Sequence, residues 1–85
     1  MRIEQIEELE KRFLVYEEME RSGKMTKEQL IGINLGRTID RSIKAALLVM
    51  HIRNESNNEI VEAILKELKL IDENILKVTD LFKNG

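Results

Sequence analysis

Between residues 61 and 82 the apolar side chains Val61, Ile64, Leu68, Ile71, Ile75, Val78 and Phe82 alternate at spacings of three and four. Three heptads of that rhythm draw a single stripe along an α-helix, whereas the two faces of a strand alternate every second residue. No proline interrupts this stretch or any other part of the 85 residues. A chain without its strongest helix breaker, carrying a stripe this regular, is constrained to an all-α fold.

Two further helices follow from periodicity and punctuation. Ile3, Ile6, Leu9, Phe13 and Tyr16 form one stripe, with Glu7, Glu8, Lys11 and Arg12 off it, which predicts a helix over about 2–22. Gly23 supplies the left-handed conformation that ends it. Thr26 and Gln29 have capping-box spacing and start a second helix over about 27–53. That helix stops at the polar run RNESNN, where Ser56 and Glu59 repeat the capping box and start a third over about 57–83. Short connections make successive helices antiparallel neighbours. The expectation is one helical domain over 1–85, a three-helix bundle completed by dimerisation.

Composition removes several classes of function. No cysteine is present, so disulfides, thiolate metal sites and cysteine nucleophiles are excluded. A net charge of −2 gives no basic footprint for bulk nucleic-acid binding. The longest apolar run, 45–50, is far short of a membrane span. With no leader pattern at its start, the chain reads as cytoplasmic, without a membrane partner.

Gly32 and Gly36 lie inside the apolar stripe of the second helix, with Ile39, Ile43, Ala46, Leu47 and Met50. Each glycine costs about 1 kcal/mol against alanine in a helix, so both require a packing role. Counting back from a turn centred near Lys24 sets Gly32 against Tyr16 and Gly36 against Arg12 or Phe13. Aromatic rings would then fill the two gaps; the alternatives are a close helix contact with another subunit or a glycine-lined ligand site.

The same count lets Ile3 reach only about as far as Ala45. Leu47, Leu48, Met50, Ile60 and Ile64 would lie beyond the cover of the first helix, with Leu48 projecting opposite Met50. A lone hairpin could not hide them all, and apolar patches of that kind mark interfaces. These five residues are the expected surface of a two-fold homodimer.

No catalytic constellation is legible. Glu17/Glu20 and Glu59/Glu62 have the spacing of bundle metal ligands, but no Glu-x-x-His accompanies them and His51 is the sole histidine. Ser42 is more than two turns from His51 on the same helix and Ser56 lies in the loop, so no triad is legible. The sequence implies no metal, no cofactor and no enzyme. Arg37, Arg41 and Lys44 recur on the face opposite the glycines as a row that could contact phosphate or another polar group. The expected function is therefore a non-enzymatic adaptor or regulator that binds protein through helix faces, with nucleic-acid regulation through the basic row as the alternative.

Overall fold

The computed structural model describes residues 3–54 and 58–83, which form three helices: α1 (Glu4–Arg21), α2 (Lys27–Asn54) and α3 (Asn58–Lys83). Local chemistry accounts for the first bend. The Ser22 amide donates to the Glu18 carbonyl at 3.1 Å, and Gly23 turns the chain out of α1 at φ 70°. Thr26 and Gln29 then close the expected capping box. The Gln29 amide donates to Thr26 Oγ1 at 3.1 Å and the Thr26 amide to Gln29 Oε1 at 2.8 Å. Ser56, the expected cap of α3, lies outside the described residues, as does Arg2.

Ion pairs and hydrogen bonds fix the helix directions. From Glu20 through Tyr16 and Arg12 to Glu10, the α2 partners run upward through Arg37, Asp40 and Lys44. α1 and α2 are thus antiparallel. Arg41 on α2 pairs with Glu67 on α3, while Leu48 shares a cluster with Ile60, so α2 and α3 are antiparallel as well. The result is a flat three-helix bundle of 45 × 22 × 14 Å. Among the described residues, no helix is long and apolar enough to cross a membrane.

The apolar core is small and lies at the end distant from Gly23. Ile6, Leu48 and Ile60 form its centre, flanked by Ile3, Leu47, Ile52, Ala63 and Ile64. This corrects the register inferred from a symmetric turn. α1 sits about one helical turn further along α2 than that count allows, so Ile3 and Ile6 reach the Leu48 level. The displaced register sets Ile6 against Leu48 and Ile60, which apolar burial favours.

Candidate functional site

The residue types that are buried and those that are exposed are partly exchanged in this bundle. The row on α3 that faces the interior is Ile60, Glu67 and Asn74, set seven residues apart. Its counterpart on α2 is Leu48, Arg41 and Asn34, also seven apart and running the other way. Leu48 packs with Ile60, and Arg41 bonds Glu67 Oε2 at 2.8 Å. The same register carries Asn34 to the level of Asn74. One layer is apolar, one is ionic and one is amide. Asn34 and Asp40 are 0% and 1% exposed, and buried polar groups of this kind require partners. Asn34 donates to the Leu30 carbonyl at 2.8 Å and accepts from Arg37 at 3.3 Å. Asp40 accepts from Arg12 at 2.7 Å and from the Tyr16 hydroxyl at 3.0 Å. The Tyr16 hydroxyl and the Asp40 charge together raise Arg12 above its usual value.

Tyr16 also explains one glycine. A Cβ built on Gly36 would stand 3.2 Å from the Tyr16 hydroxyl oxygen, so the ring does occupy a gap in α2. The gap is one turn from the expected position, because α1 is displaced and long side chains lean toward the N-terminus of their own helix. Gly32 is exposed, with nothing within 4 Å of a Cβ there, so within a single chain it makes no close packing with Tyr16 or Phe13. Phe13 instead underlies Arg41, whose guanidinium carbon is 4.3 Å from the ring centroid.

The basic row Arg37, Arg41 and Lys44 is turned inward and largely buried. Arg37 bonds Glu20 at 2.9 Å, Arg41 bonds Glu67, and Lys44 bonds Glu67 at 2.7 Å and Glu10 at 3.3 Å. The charges of the row are thus met by carboxylates of the chain itself. Glu20 joins all three helices, since it also takes hydrogen bonds from Asn34 and from Lys77 on α3. Burial alone would raise the Glu20 carboxyl, but the Lys77 and Arg37 hydrogen bonds and charges outweigh it and hold the group below the ordinary carboxylate range.

Around this junction lies an open cleft of about 260 Å³, walled by Phe13, Glu20, Arg37, Arg41, Leu70 and Asn74, with Glu17 also in its lining. Two of the residues that line it carry a buried donor without a hydrogen-bond partner, Arg41 Nε and Asn74 Nδ2. His51 is half-buried on α2, away from this cleft. Among the described residues, no three carboxylate or imidazole side chains gather at a metal-sized site.

The expected interface residues divide. Leu48 and Ile60 are each 1% exposed and belong to the chain's own core, and Leu47 and Ile64 pack half-buried against it. Met50 alone of the five is mostly exposed. The exposed apolar surface lies elsewhere. On α3 it includes Val61, Leu68, Ile75 and Phe82, one half of the heptad stripe, with Ile64, Ile71 and Val78 half-buried beside it, and Leu65 and Leu76 are exposed as well. On α2 it includes Leu35, Ile39 and Ile43, at spacings of four, and Val49, and on α1 Leu14, Val15 and Met19 are exposed.

Buried polar residues missed in the sequence include Asn34, Asp40, Glu67 and Asn74. A signal for three of them was present. Asn34 and Arg41 on α2, and Glu67 and Asn74 on α3, fall on seven-residue rows with Leu48 and Ile60, and the rows carry complementary charge. No protein-family model, curated protein or solved structure matches the chain.

Proposed function

We propose that the chain is a non-enzymatic, self-associating helical module in which two copies pack their exposed apolar rows on α2 and α3 together. The observation that carries this reading is the inversion of burial. Asn34 and Asp40 are among the most completely buried side chains, while Ile39 and Phe82 are 61% and 76% exposed.

Surface area gives the scale. A compact monomer of 10.0 kDa exposes about 5200 Å² by the usual mass scaling. This chain exposes 6206 Å², an excess on the order of 1000 Å². One partner in a standard interface buries about 800 Å². The row from Val61 to Phe82 is about 32 Å long at 1.5 Å per residue. A surface with coiled-coil periodicity is best covered by a helix of the same periodicity. A second copy supplies one, and a two-fold axis uses the same surface twice.

Sedimentation at micromolar concentration is expected to give twice the 10.0 kDa chain mass. The double variant Leu68→Asp/Ile75→Asp should sediment as one chain with unchanged helical circular dichroism. Its charges disrupt only an assembled surface, because both positions are about half exposed in the single chain. A single-chain mass for the natural sequence, or a double variant that still dimerises, refutes the reading.

A further inference from the structure

We propose that the cleft at the three-helix junction binds a small oxyanion, a carboxylate or a phosphate group, through Arg41 Nε–H and the Asn74 side-chain amide. Both nitrogens are buried donors without partners, and both residues line the same cleft. Asn74 is more than nine-tenths buried. A donor removed from water and left unbonded is rare in a folded chain, and two on one cleft call for a shared acceptor.

The charge of the Arg41 guanidinium favours a negative one, and the buried carboxylates beside it are already paired. Glu67 is shared by Arg41 and Lys44, and Glu20 is shared by Arg37 and Lys77. Each carboxylate therefore faces two cations. Of the other carboxylates, Glu10 pairs with Lys44, Asp40 with Arg12 and Glu17 with Arg21, and Glu10 and Glu17 are more than half exposed. Phe13 and Leu70 give the cleft apolar walls, which strengthen a charge–charge interaction inside it. A single water could accept from one or both donors, but its share of liquid volume is about 30 Å³. The cleft is several times larger than that.

The test is a nitrogen-15 NMR titration of the full chain that follows the Asn74 side-chain amide and the Arg41 Nε–H. Sodium phosphate and sodium acetate are compared with sodium chloride at equal ionic strength. Saturating shifts of both resonances, with a midpoint at about 1 mM or below in phosphate or acetate, support the site. Which salt saturates identifies the anion class. Shifts that stay linear, or that chloride reproduces, overturn it. Asn74→Asp provides a second reading, since its carboxylate would supply the missing acceptor from within the chain. That variant should lose about tenfold or more in anion affinity while remaining helical. Affinity kept within about twofold overturns the proposal. The wild-type titration decides the matter whether or not the variant folds, and it is independent of the oligomeric state.

Discussion

Gly32 and Gly36 lie one turn apart on α2 and meet opposite surroundings. At Gly36 an added Cβ would approach the Tyr16 hydroxyl to 3.2 Å. That hydroxyl cannot retreat freely, because it donates to Asp40 at 3.0 Å. The gain in helix propensity, about 1 kcal/mol, is therefore spent on moving a tethered ring. At Gly32 the space is open and the full gain is available. Gly32→Ala should raise the melting temperature by about 4–8 °C, whereas Gly36→Ala should leave it unchanged or lower it. Thermal unfolding checks both. The Leu68→Asp/Ile75→Asp background is the right one, since there assembly makes no contribution at Gly32. Gly36→Leu would overpack the contact and cost about 1–3 kcal/mol.

At the scale of helices, α2 and α3 are joined by layers of unlike chemistry, and the ionic layer makes the sharpest prediction. Glu67 is buried and holds Arg41 and Lys44, which are themselves mostly buried. Glu67→Leu alone strands Arg41, leaves Lys44 with only the exposed Glu10, and should cost about 3–5 kcal/mol. Adding Arg41→Leu removes one stranded charge and lets the pair pack. The double variant should recover at least about 1 kcal/mol of the loss, read from urea unfolding. A double variant less stable than the single would show that Arg41 contributes something beyond the pair. The layers also show what the sequence made legible. Helix ends could be read to within about two residues, because Gly23, Thr26 and Gln29 act on neighbours a few residues away. The face that α3 turns inward could not be read from its own pattern. Apolar rhythm marked Val61, Leu68, Ile75 and Phe82, and the helix buries Glu67 and Asn74 in preference to them. Whether a carboxylate is buried depends on cations carried by another helix, and no period within α3 records that. The cleft was hidden for the same reason, although Arg37, Arg41 and Phe13 each belong to a pattern legible in the sequence.

For the molecule as a whole, Glu20 is the point at which α1, α2 and α3 are tied by one side chain, through Arg37, Asn34 and Lys77. Its carboxyl lies below the ordinary value of 4.5 in the folded chain, despite a burial penalty that acts the other way. The unfolded chain therefore binds a proton at Glu20 at a higher pH than the folded one does. By linkage, the stabilisation from this group is fully present above about pH 4.5 and is lost as pH falls through the depressed folded value. Glu20→Gln keeps the shape and removes the charge. The stability difference between wild type and Glu20→Gln should be constant near neutral pH and should shrink steadily below about pH 4.5. Chemical unfolding at a series of pH values measures it. Salt should reduce the difference only partly, because Glu20 and Arg37 are mostly buried and only Lys77 stands half in solvent. A difference that stays flat down to pH 3 would mean that Glu20 is not what holds the three helices at their shared junction.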